Sequence, residues 1–149
     1  MILDLSASTI YCTGLDAIDR QHQVLITQIG VVRSLLPGGD PGAQHAAMAD
    51  LLECSYGHFA YEEDELLLSG DPHLARHRET HSRMLITLDR MAARSRGGRP
   101  APQEDGDFFT MWLSAHILGV DKRYVPLMRA HGRGVVEDDI VLSRFPRIQ

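Results

Sequence analysis

Apolar positions recur at three- and four-residue intervals along four stretches of the chain, and Gly- and Pro-rich runs separate them. Residues 15–36 carry Leu15, Ile18, Leu25, Ile26, Ile29, Val32 and Leu36, the spacing of one buried helix face. The run Pro37-Gly38-Gly39-Asp40-Pro41-Gly42 closes that helix. A second stripe, over residues 43–68, holds Met48, Leu51, Leu52, Ser55, Phe59, Glu62 and Leu66. Ser69-Gly70-Asp71-Pro72 then stops one helix and starts the next, with Asp71 as the expected N-cap and Pro72 at the first helical position. The third stripe runs through Leu74, His77, His81, Met84, Leu85, Leu88 and Met91 to a polar loop at 94–100. The fourth spans 104–129, with Phe108, Met111, Trp112, Ala115, His116, Gly119 and Leu127 as its expected inner face. Pro126 is placed to kink or end it.

Four helices with short links predict an all-α, up-down-up-down antiparallel four-helix bundle. Residues 1–149 read as a single domain, with an N-terminal arm at 1–14 and a C-terminal tail at 130–149. That length supports a sizeable core. The tail carries enough Val, Ile, Leu and Phe to dock on the bundle, at a place the sequence does not give.

Polar groups interrupt these stripes at matching places. The first helix offers His22, the second His58 and Glu62, the third His77 and His81, and the fourth His116 and Asp121. Pairs spaced i, i+4 share one helix face, roughly 5–6 Å apart. A carboxylate in an apolar stripe needs a reason, because burying an unpaired charge is costly. Counted from the loops at about 1.5 Å per residue, all seven groups fall within roughly one turn of a common level. Bundle cores build metal sites in this way. His116 and Asp121 are five residues apart, which puts them ~140° apart on an ideal helix. A π-turn would correct this, and Gly119 inside the interval would ease it. In the acidic run Glu63-Asp64-Glu65, at least two residues are expected on a solvated face.

Imidazole suits iron, zinc or copper. Five imidazoles and two carboxylates match two metals bridged by both carboxylates. Iron fits better: seven protein ligands and a solvent-derived bridge leave one position open on a six-coordinate pair.

Composition narrows the setting. The chain is 44% hydrophobic and 23% charged, as in globular domains. A net charge of −5 argues against a nucleic-acid footprint. No apolar run approaches the ~20 residues of a membrane span. The start, MILDLSASTIYC, lacks the basic and apolar regions of a signal peptide. Cys12 and Cys54 then read as reduced thiols in a cytoplasmic protein, Cys54 as a small core residue.

In four blocks, Gly14 to His22, His58 to Glu63, His77 to His81 and Trp112 to Tyr124, the chain resembles the hemerythrin family, in particular the single-domain bacteriohemerythrins. The resemblance implies a non-haem centre of two iron ions that binds O2 reversibly, for transport, storage or sensing, without being an enzyme. It implies that His77, His81 and His116 hold one iron. His22 and His58 hold the other, which keeps the open position, and Glu62, Asp121 and a solvent-derived oxygen bridge the pair. His45, His73 and His131 match no ligand position and read as surface residues. The chain departs from the family in having no Trp at Ser6 to Ile10 and Asp71 where an aromatic is common.

A reversible O2 carrier must exclude water, so a dry apolar cage is expected on the His22/His58 side, drawn from Leu25, Ile26, Phe59, Trp112, Ile117 and Val120. A di-iron oxidase or peroxidase-like enzyme is the alternative function, and an O2 or redox sensor signalling to a separate partner protein is another. Five imidazoles with few anions favour reversible binding, and the carboxylate-rich Glu-x-x-His repeats of di-iron oxygenases are missing.

Overall fold

The structure, a computed structural model, describes residues 11–135. Most of the expected arm, 1–10, and most of the expected tail, 136–149, lie outside the described residues.

Four antiparallel rods form the bundle. They are α1 (Asp16–Ser34), α2 (Pro41–Leu68), α3 (Leu74–Arg96) and a composite fourth rod. The fourth consists of α4 (Gln103–His116), a π-helical turn (Ile117–Asp121) and α5 (Lys122–Ala130). No strand occurs among the described residues.

Local chemistry sets the start of α2, and several expected helix boundaries are corrected. Asp40 caps α2 by accepting the amide of Ala43 at 2.9 Å, and Pro41 takes the first helical position. The run expected to be all loop therefore already contains this start. Asp71 does not cap α3. Its carboxylate accepts the amide of His73 at 3.1 Å, holding a turn ahead of the helix, which begins only at Leu74. Pro126 does not end the fourth rod, since α5 continues through it to Ala130.

The fourth rod buries His116 as expected, but part of its expected inner face turns outward. Met111 and Phe108 are 66% and 37% exposed, whereas Phe109, Leu113, His116 and Ile117 are buried. Both stripes carry apolar residues at helical spacing, and they lie side by side on the cylinder.

Two apolar clusters fill the bundle. One holds Leu25, Ile29, Leu51, Phe59, Leu88, Phe109, Leu113 and Ile117 among others. The second holds Leu15, Ile18, Tyr61, Leu66, Leu74, Tyr124 and Met128. On every rod the polar groups of interest fall between a residue of one cluster and a residue of the other. The core is thus two apolar layers with one polar layer between them.

The described start of the tail docks on the second cluster's end. Arg133 makes two hydrogen bonds to Glu65, at 3.0 and 2.6 Å, and the Gly134 amide gives Glu65 a third at 2.7 Å. The Gly134 carbonyl accepts from Ala17 and Ile18, satisfying first-turn amides of α1. Just before α1, Gly14 has φ +82°, a conformation that favours glycine.

Candidate metal centre

The polar layer contains His22 from α1, His58 and Glu62 from α2, His77 and His81 from α3, His116 from α4 and Asp121 from the π-turn. All seven are buried. The π-turn supplies the extra residue that the His116/Asp121 spacing requires, and the two side chains meet at 2.9 Å.

Each carboxylate divides its oxygens between two sets of imidazoles. Glu62 Oε1 lies 2.6 Å from His77 Nε2 and 3.3 Å from His81 Nε2. Glu62 Oε2 lies 3.2 Å from His58 Nε2 and 3.9 Å from His22 Nε2. Asp121 Oδ1 lies 2.9 Å from His116 Nε2 and 3.3 Å from His77 Nε2, while Oδ2 lies 3.1 Å from His22 Nε2. Among the described residues, two groups could each hold a cation: Glu62, His77, His81 and His116, and His22, His58, Glu62 and Asp121.

These contacts are short but misaligned as hydrogen bonds. His22 Nδ1 and Nε2, His77 Nε2, Glu62 Oε1 and both Asp121 oxygens are buried without an aligned partner. Buried polar atoms in that state are costly and rare. Lone pairs that converge without meeting a proton are what a bound cation satisfies. The donor set of imidazole and carboxylate fits a first-row transition metal.

The protonation tendencies show how strongly charge is held here. Burial disfavours charge on Glu62, yet the surrounding His58, His77 and His81 hold it well below the usual carboxylate range. Burial and Glu62 oppose ionisation of Asp121, and His116 and His22 outweigh them to hold it low. Burial works against a charged His77, but Asp121 and Glu62 push it up to about 10. His22 and His81 are raised in the same way, whereas burial prevails at His58 and lowers it.

Outer partners orient the layer, and the sequence reading passed over them. His58 Nδ1 bonds Gln21 Oε1 at 2.8 Å, and His81 Nδ1 bonds Glu63 Oε1 at 2.9 Å. Tyr124 donates its hydroxyl to Glu62 Oε2 at 2.8 Å. The available signals were adjacency and helical phase. Gln21 and Glu63 each sit beside a layer residue, and Tyr124 follows Asp121 by three positions. Of the acidic run only Asp64 is exposed: Glu63 is spoken for by His81 and Glu65 is buried against Arg133. His45 is also not a surface residue, being half-buried with its Nδ1 on the Ala92 carbonyl at 2.8 Å. His73 and His131 are exposed. Cys54 is fully buried, and desolvation pushes its thiol up to about 11.

The apolar residues expected around the layer fall in two places. Leu25, Phe59 and Trp112 line a small apolar cavity of about 10 Å³, and Ile26 and Ile117 belong to the same core cluster. Phe59 stacks on His81 with ring centroids 3.8 Å apart, and Trp112 on His116 at 4.6 Å. Val120 lies apart, half-buried in an open pocket of about 420 Å³ with His77, Arg123 and Tyr124.

A family model described as the hemerythrin HHE cation binding domain matches residues 13–128. The bacteriohemerythrin of Stenotrophomonas maltophilia is 25% identical over 118 residues, covering 79% of this chain and 77% of that protein. The bacteriohemerythrin of Pseudomonas paraeruginosa is 28% identical over 130 residues, covering 85% and 82%. The myohemerythrin of Riftia pachyptila is 28% identical over 109 residues, covering 73% and 81%. The crystal structure of a hemerythrin point mutant superposes with a TM-score of 0.75 at 22% identity, covering 85% of this chain and 98% of that one, a likeness of fold.

Proposed function

The chain belongs to the hemerythrin family, and from that premise we propose that it binds O2 reversibly at a non-haem di-iron centre, for oxygen transport, storage or sensing. The observation that carries this reading is the division of oxygens at Glu62 and Asp121, each carboxylate serving both imidazole sets. In the proposed arrangement His77, His81 and His116 would hold one iron and His22 and His58 the other, with Glu62 and Asp121 serving both within a single hemerythrin-like domain. Two irons held there would supply the electrons that reversible O2 binding requires.

The protein's own residues do the rest. Tyr124 keeps one oxygen of Glu62 in place through its hydroxyl. Gln21 and Glu63 fix the Nδ1 tautomers of His58 and His81, which leaves each Nε2 lone pair aimed at the layer. Leu25, Ile26, Phe59, Trp112 and Ile117 form an apolar wall that keeps water from the centre. Among the described residues no helix is long and apolar enough to cross a membrane.

The test is an optical cycle. Iron-loaded, reduced protein is exposed to O2 and then swept with argon. A charge-transfer band that appears and vanishes, without released peroxide, supports binding. Sustained O2 consumption with an added reductant supports the oxidase alternative instead.

A further inference from the structure

The imidazoles of the layer are not backed alike. His58 gives its Nδ1 proton to Gln21, a neutral amide, at 2.8 Å in a buried contact. His81 gives its Nδ1 proton to Glu63, a carboxylate, at 2.9 Å. An amide oxygen and an ionised carboxylate can only accept, so the direction of both bonds is fixed. Glu63 is 23% exposed, and Arg78 stands with its Nε 3.6 Å from the other carboxylate oxygen.

The two acceptors differ by a full charge. A carboxylate behind an imidazole draws on the Nδ1 proton and raises the basicity of the opposite nitrogen, and an amide does so far less. His58 and His81 belong to the two different groups that could each hold a cation. The difference therefore falls between the two metal positions and not within one.

We propose that Gln21 and Glu63 make the two metal positions unequal, so that the position served by His81 binds its metal more tightly and its iron loses an electron first. The proposal rests on the two-metal reading above. Glu63 acts through His81 as a positioning residue, and Arg78 moderates it by drawing on the same carboxylate. The redox step is the loss of one electron from Fe(II) to an outer-sphere oxidant such as ferricyanide, with no atom transferred. The His22/His58 position, backed by a neutral amide, is then the later of the two to be oxidised.

The experiment compares the parent protein with Glu63→Gln, Gln21→Glu and Arg78→Gln. Metal-free protein is titrated anaerobically with Co(II), read by its visible absorption, and iron-loaded protein is titrated with ferricyanide at controlled potential. The parent should take up two metals in two separable steps. Glu63→Gln should weaken the tighter step by about tenfold to a hundredfold and raise the lower of the two potentials, while the second step and the higher potential stay at parental values. Gln21→Glu should bring the two potentials together, and Arg78→Gln should lower the first. A Glu63→Gln protein with both steps and both potentials at parental values overturns the proposal, as does equal weakening of both steps. A parent protein that binds fewer than two metals overturns instead the two-metal reading.

Discussion

His116 Nε2 and Asp121 Oδ1 stand 2.9 Å apart although five residues separate them in sequence. An α-helix would send them ~140° apart. The π-turn at Ile117–Asp121 closes that angle and brings the fourth rod's carboxylate into the layer. Removing one residue from the turn makes the interval i, i+4, which a regular α-helix keeps on one face. Deletion of Gly119 should therefore remove the need for the π-turn and leave a helical protein by circular dichroism that still holds both metals. Glycine itself is not what the turn needs, since a Cβ at Gly119 would meet nothing within 4 Å. Gly119→Ala should keep both metals and gain about 0.4–1 kcal/mol of stability. A deletion protein that has lost a metal equivalent, or an alanine variant that has, contradicts this account.

Tyr124 is buried, and its hydroxyl holds Glu62 at 2.8 Å. Burial, then Asp121 and Glu62, keep the phenol well above its ordinary range, so it remains a donor throughout neutral pH. Tyr124→Phe removes a hydrogen bond to a charged acceptor, a loss of about 1.5–3 kcal/mol in the metal-free protein. Denaturant unfolding measures it. Metal content should stay at the parental value, because phenylalanine removes no ligand.

The layer's charges set a pH dependence for the metal-free protein. His77 is raised from 6.5 to about 10, so its contribution is complete below 6.5 and is lost as pH climbs towards 10. His22 and His81 act in the same direction. Glu62 and Asp121 are lowered, so their contribution is complete above the ordinary carboxylate range and is lost as pH falls below it. His58 is lowered and opposes the other histidines below 6.5. The melting temperature should accordingly fall between pH 6.5 and 10, and bound metal should abolish the fall by replacing the protons. Calorimetric titration at pH 8 in buffers of different ionisation heat should show proton release on metal binding. A melting temperature that stays level across that range without metal would contradict the assignment.

The Glu65–Arg133 contact ties the start of the tail to α2, and Gly134 carries it on to α1. Arg133→Ala leaves a buried carboxylate with only the Gly134 amide. The expected loss is about 1–3 kcal/mol, which for a chain of this size is roughly 2–4 °C per kcal/mol. Metal stoichiometry should not change, because Glu65 lies outside the layer. A thermal melt beside a metal analysis separates the two effects.

The bundle and its seven layer residues were legible because helical spacing and loop position together fix height and face. The π-turn was legible for the same reason: the His116/Asp121 interval fits no regular helix. The inner face of the fourth rod was not. Phe108-Met111-Ala115 and Phe109-Leu113-Ile117 are both apolar at helical spacing, and only packing against the other three rods chooses between them. Glu63 and Glu65 looked solvated because their partners, His81 and Arg133, are 18 and 68 residues away. Charge pairing across a bundle leaves no mark on local periodicity. Docking of the tail on Glu65 and the α1 amides was hidden for that reason too.

The central claim is reversible O2 binding by a pair of irons within one chain. The most direct measurement is O2 uptake by fully reduced, iron-loaded protein, counted against iron and repeated over several cycles of oxygenation and argon. The account predicts two irons per chain, one O2 taken up per two irons, and recovery of the same uptake after each deoxygenation. Uptake that exceeds this ratio, fails to reverse, or occurs with one metal per chain would contradict it.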